Sequence, residues 1–243
     1  MDVRLLADEA EAELRARGGA KRAEHEKAYL RSGLEHYGVT VPAIRSVAKS
    51  IGRRYPELSH NDLIGLVVTL WSVPVHERRM TAVELLKLSV DGLNKDDVCV
   101  LEDMLRESKT WALVDVLAAS VIGSLVERLE LGATLDRWAV DGDFWMRRSA
   151  LLALLPGLCR FAGDFERFSG YADSMLYEKE FFVRKAIGWV RRETARKRPA
   201  LVYEWLLARV QGASGVTIRE AIKPLSQQQR ASILAARSED RRR

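Results

Sequence analysis

Residues 181–196 read Phe181-Phe182-Val183-Arg184-Lys185-Ala186-Ile187-Gly188-Trp189-Val190-Arg191-Arg192-Glu193-Thr194-Ala195-Arg196. Placed at about 100° per residue, Val183, Ile187, Val190 and Thr194 fall on one stripe, which predicts an amphipathic helix. Trp189 lies away from that stripe, grouped with Lys185, Arg192 and Arg196 on one flank. A large aromatic among cations suits a nucleic-acid surface, since a core residue has no reason to stand there. The alternative is an indole covered by the aliphatic stems of those same cations.

Working outward, the Arg-x-Ala-apolar element of this helix recurs. It stands as Arg148-Ser149-Ala150-Leu151, Arg184-Lys185-Ala186-Ile187 and Arg219-Glu220-Ala221-Ile222, at intervals of 36 residues (148 to 184) and 35 (184 to 219). Trp111 precedes Arg148 by a similar step of 37. Such a period predicts stacked two-helix repeats of the HEAT kind, against the alternative that Arg and Ala coincide by abundance. Elsewhere apolar residues recur three and four positions apart, and no alternating runs bounded by hairpin signals occur, so the chain is expected to be all-α. Breaks are expected at Gly18 and Gly19, Gly38 to Pro42, Tyr55 to Ser59, Val73 to Pro74, Asp91 to Asn94, Gly142, Gly163, Arg198 to Pro199, and Gly212 to Gly215. No domain boundary stands out, so residues 1–237 are expected as one repeat domain, with 238–243 a frayed tail lacking apolar anchors.

Lys and Arg number 39 against 34 Asp and Glu, a formal charge of +5 that favours polyanionic partners without identifying one. Cys99 and Cys159 show no CxxC spacing and are expected as buried free thiols. His25, His36, His60 and His76 show no HExxH or other short ligand spacing, so each reads as a surface or loop residue and no metal site is expected. Neither a GxSxG elbow nor a glycine-rich phosphate loop occurs. The first residues are charged and periodic where a signal peptide needs an apolar core, and Leu63 to Trp71 is too short to span a bilayer, so a cytoplasmic protein without membrane contact is expected.

The segment Thr110 to Gly123 carries the clearest candidate chemistry. Val114, Leu117, Val121 and Leu125 share one helical face, while Trp111 and Asp115, four apart, stand to its side as an indole and a carboxylate on one edge. The alternative is that Trp111 packs against the next repeat and Asp115 caps or pairs with an Arg. In Phe144-Trp145-Met146-Arg147-Arg148 the helical wheel does not place Arg148. Either arginine suits a carboxylate between repeats, or a phosphate through its planar fork.

At these residues the chain resembles the DNA alkylation repair family of the AlkD type. The resemblance lies in TWALVD at 110–115, FWMRR at 144–148 and EFFVRKAIGWVRRE at 180–193. Ala28 to Ser32, Gly38 to Pro42, Leu70-Trp71 with His76-Glu77-Arg78, and Arg219 to Lys223 support it, so it covers nearly the whole chain in order. Ala112, where other members can carry a polar residue, is one departure.

The resemblance implies a curved solenoid of HEAT-like repeats that holds duplex DNA and hydrolyses the N-glycosidic bond of N3- or N7-alkylated purines, without flipping the base into a pocket. It implies that Trp111, Asp115 and Trp189 form an aromatic-carboxylate-aromatic cleft, that Tyr29 adds to it, and that Arg148, Lys185 and Arg192 contact DNA. Arg147 and Arg196 complete the basic set expected at the DNA. No cofactor or metal is implied, and a monomer, nucleoid-associated when bound, is expected. The rival readings are a non-catalytic scaffold for protein or nucleic acid, and an RNA-directed binder.

Overall fold

The computed structural model describes residues 1–160 and 163–240, with the backbone alone for 239 and 240. It divides into two compact units, Met1–Leu129 and Glu130–Arg243. Among the described residues the secondary structure is helical, and the extended pairing is an isolated parallel bridge between Glu35 and Val75. No described helix is long and apolar enough to cross a membrane.

In the first unit, α1 (Val3–Ala16), α3 (Val41–Arg54), α4 (His60–Ser72) and α5 (His76–Leu88) pack on one another. Their starts are written in the sequence. Asp2 accepts from the Arg4 and Leu5 amides at 3.0 and 3.2 Å, and Thr40 and Ser59 cap α3 and α4 in the same way. Leu14, Ile44, Ile51, Leu66, Leu70 and Leu86 are fully buried between them, each contributing about 1.5–3 kcal/mol through lost apolar exposure. Helix α2 (Ala20–Leu30) differs, because none of its residues is buried. The unit closes with α6 (Val98–Ser108) and α7 (Trp111–Val116), which runs through a π-helical turn at Leu117–Ile122 into α8 (Gly123–Leu125).

The loop between α2 and α3 is fixed from below by one carboxylate. Glu77 of α5 is fully buried and accepts from the backbone amides of Tyr37 (3.0 Å), Gly38 (2.7 Å) and Val39 (3.1 Å). Gly38 has φ +77°, and a Cβ there would stand 2.3 Å from the Gly19 carbonyl oxygen, so both conformation and space require glycine.

Two expectations fail in this unit. His36 lies in a loop as expected, although buried, whereas His76 is a buried residue that opens α5, because the bridge at Glu35 and Val75 draws the two segments together. Cys99 is exposed, its Sγ donating to the Asp96 carbonyl at 3.1 Å on the solvent side of the first turn of α6. Cys159 in the second unit is half-buried.

The second unit contains α9 (Gly132–Ala139), α10 (Phe144–Ala153), α11 (Leu155–Cys159), α12 (Phe165–Ser174), α13 (Phe181–Ala195), α14 (Pro199–Arg209), α15 (Gly215–Ala221) and α16 (Gln227–Asp240). Helix α10 packs on α9 and α13, and α13 packs in turn on α15. The three Arg-x-Ala elements therefore sit on neighbouring helices of one row. The stripe Val183, Ile187, Val190 and Thr194 is buried as its spacing requires. Gly188 lets α15 approach, since a Cβ there would lie 2.8 Å from both the Glu220 Cβ and the Thr217 carbonyl oxygen. Residues 238–240, expected in a frayed tail, continue α16, and 241–243 lie outside the described residues.

Candidate catalytic and nucleic-acid-binding residues

Lys109 takes a left-handed conformation (φ 49°) and Thr110 an extended one, so the chain turns sharply between α6 and α7 and Trp111 becomes the first residue of the new helix. Leu113 and Val114 fill the buried side of α7, leaving Trp111 and Asp115 half-buried one turn apart on its edge. Val114, Leu117, Val121 and Leu125 are all buried, as the helical spacing expects. Tyr29, at the end of α2 and 68% exposed, meets the Trp111 ring edge-on. An exposed phenol, an indole and a carboxylate thus share one neighbourhood of the first unit. The π-helical turn begins directly after Val116, and such turns often mark sites where side chains must be re-aimed.

In the second unit Trp189 is half-buried and Lys185 exposed on α13. Arg192 donates through Nε to Glu193 at 2.9 Å and through Nη1 to Glu220. Arg196 pairs with Glu193 at 2.9 Å, and Lys223 with Glu220 at 2.7 Å. The Glu220 carboxyl is held below its usual range chiefly by the Lys223 hydrogen bond, with the Arg192 and Lys185 charges adding to it. The flank is therefore a charge network in which cations outnumber carboxylates. Lys185 has its Nζ 5.9 Å from the centre of the Phe181 ring, itself 53% exposed.

The two arginines of α10 are both engaged within the fold. Arg147 donates through Nε and Nη2 to Glu178 at 3.0 and 2.7 Å, and through Nη1 to the carbonyls of Asp141 and Gly142. Of its two alternatives, the carboxylate partner is the one realised. Burial pushes the Glu178 carboxyl up, but the Glu180 and Lys179 amides and the Arg147 guanidinium outweigh it and hold the group below its usual value. Arg148 is 2% exposed, donates through Nη1 to the Phe182 carbonyl and lies over the Phe182 ring at 5.9 Å. Its guanidinium therefore ties α10 to the first turn of α13, in place of the open fork that a phosphate contact needs.

Glu178 and Glu220, which set the local charge balance with Glu193, escape sequence reading because they come from other segments than the arginines they hold. Phe181 escapes it too, although the doubled Phe at the helix start is its signal. Among the described residues, ligand atoms close enough together to hold a metal ion belong to Glu26, His36 and Glu77, apart from either set above.

The DNA alkylation repair enzyme family matches the chain over residues 10–225. No curated protein matches it in sequence. Among solved structures, one described as a predicted DNA alkylation repair enzyme from Enterococcus faecalis is 21% identical, with 87% of this chain and 98% of that one covered at a TM-score of 0.79. AlkD2 from Streptococcus mutans is 18% identical, covering 84% and 99% at a TM-score of 0.59. The protein smu.31 from Streptococcus mutans UA159 is 17% identical, covering 85% and 98% at the same TM-score of 0.59. At these identities the structures show a shared helical fold.

Proposed function

The chain belongs to the DNA alkylation repair enzyme family, and from that premise we propose that it is a monofunctional DNA glycosylase that releases N3- or N7-alkylated purines from duplex DNA. The observation that carries this reading is the half-buried pairing of Trp111 with Asp115 on one edge of α7, with Tyr29 against the indole.

Alkylation at N3 or N7 makes the purine cationic and already a good leaving group. The site then needs no strong general acid. As the glycosidic bond breaks, positive charge grows on the deoxyribose, and a fixed carboxylate such as Asp115 stabilises it and positions the attacking water. Trp111 offers an electron-rich face to the sugar or the cationic base, an attraction strongest where water is excluded, and Trp189 offers another to the DNA held by its own unit. Lys185, Arg192 and Arg196 supply sequence-independent affinity for the phosphate backbone. Arg147 and Arg148 act indirectly, by holding α10 in place. In this reading the lesion stays stacked in the duplex, so bulky adducts are accepted, unlike in enzymes that extrude the base into a fitted pocket.

Incubation with methylated duplex DNA, followed by chromatography of the free bases, tests the proposal. Release of 7-methylguanine or 3-methyladenine is the expected result. Binding to the DNA without any base release identifies a non-catalytic scaffold and overturns it.

A further inference from the structure

Beneath α2 the first unit holds a second group of reactive side chains. Glu35 donates its amide to the Pro74 carbonyl, and His76 donates its amide to the Glu35 carbonyl, both at 2.9 Å. Residues that follow this parallel bridge lie about one strand spacing apart, ~4.8 Å. The imidazoles of His36 and His76 accordingly stack, with centroids 4.7 Å apart and planes 8° from parallel. The two residues are only 9% and 5% exposed. Among the described residues, neither ring nitrogen of His36 has a hydrogen-bond partner, and Nδ1 of His76 has none either. A buried polar atom left in that state costs about 1–3 kcal/mol, so an additional partner at His36 is favoured.

The groups beside His36 show what that partner is. One ligand atom each from Glu26, His36 and Glu77 lies within 4.8 Å of the other two. Glu77 is locked by its three backbone donors, while Glu26 engages Arg22 through Oε1 alone. Two carboxylates balance the charge of a divalent cation.

We propose that Glu26, His36 and Glu77 bind a divalent transition-metal ion of the zinc class, with His76 stacked on His36 to fix its ring. One imidazole and two carboxylates form an N,O donor set suited to zinc or cobalt, whose fourth coordination position a water would take. Bond lengths of about 2.0–2.2 Å require the ligands to draw together. Glu26 can move inward because α2 has no buried residue to anchor it. The ion thereby clips α2 to α5, and with it Tyr29 to its place beside Trp111.

Titration of the chelator-treated protein with zinc, followed by calorimetry, and with cobalt, followed by visible absorption, tests this site without any DNA. One ion per chain is expected, together with a melting temperature that rises with metal concentration. His36→Ala and Glu26→Gln are each expected to weaken binding at least about tenfold. Glu26→Gln changes a side chain outside the core, so it reads the site even where His36→Ala fails to fold. Absence of saturable binding, or binding unchanged in Glu26→Gln, overturns the proposal.

Discussion

Tyr29 meets Trp111 edge-on, with ring centroids 5.9 Å apart and planes at 83°. Because α2 buries none of its own residues, this contact, of a kind that contributes about 0.5–1.5 kcal/mol, positions the end of that helix. Tyr29→Phe keeps the edge and should retain most base release. Tyr29→Ala should reduce it clearly while lowering the melting temperature by only about 1–6 °C. Single-turnover release and a melting curve measured on both variants decide the matter, and equal release from the two would remove the ring from the mechanism.

Asp115→Asn preserves shape and removes the charge. If the carboxylate stabilises the developing sugar cation, 7-methylguanine release should fall by about 10²–10³-fold, the range for losing one preorganised electrostatic group. Affinity for undamaged duplex should hardly change. An unaltered release rate takes Asp115 out of the reaction.

Lys185 is exposed on α13, and Arg196 is exposed directly after its end. Lys185→Ala should weaken duplex binding evenly across sequences and lower the slope of log affinity against log salt by about 1. Arg196→Ala should do less, since Glu193 already offsets its charge. A change in sequence preference would show base contact instead of phosphate contact.

Arg148 belongs to a different class. Its buried guanidinium holds the Phe182 carbonyl, so Arg148→Ala should cost about 2–4 kcal/mol of stability through a lost charge-assisted hydrogen bond and a cavity. The salt slope of DNA binding should stay the same at temperatures where the variant is folded. Denaturant unfolding and salt-dependent binding together separate the two roles.

Glu178 and Glu220 both have carboxyl groups held below the ordinary 4.5 in the folded protein. A depressed folded value means that the unfolded chain takes up protons first. The stability they contribute is therefore complete above pH 4.5 and is lost as the pH falls through the folded values. Glu178→Gln should lower stability at neutral pH and flatten its decline in acid, measured as denaturant midpoints from pH 7 to 3.

The helical spacing of Val183, Ile187, Val190 and Thr194 is a local property, and it reads directly from sequence into buried positions. So does the edge that carries Trp111 and Asp115. The breaks at Gly38 and Pro199 are legible because those residues have special backbone chemistry. Those at Lys109 and Glu130 are not, because ordinary L residues take left-handed conformations there (φ 49° and 53°) under tertiary constraint. The burial of His36 and His76 depends on pairing between segments forty residues apart, and the duty of Arg148 on a carbonyl of another helix. Neither partner leaves a mark near the residue it controls.

The widened turn after Val116 sets two directions within a single rod. A π-helical turn advances the chain by about one residue more than an α-turn, so the angular phase of Trp111 and Asp115 is uncoupled from that of Val121 and Leu125 beyond it. Rewinding 117–122 as a regular α-helix with no residue removed would swing the carboxylate about 100° around the axis relative to the buried end, whereas deleting one residue there would keep both faces in place. One residue of slack thus lets the reactive edge be steered without repacking the core behind it.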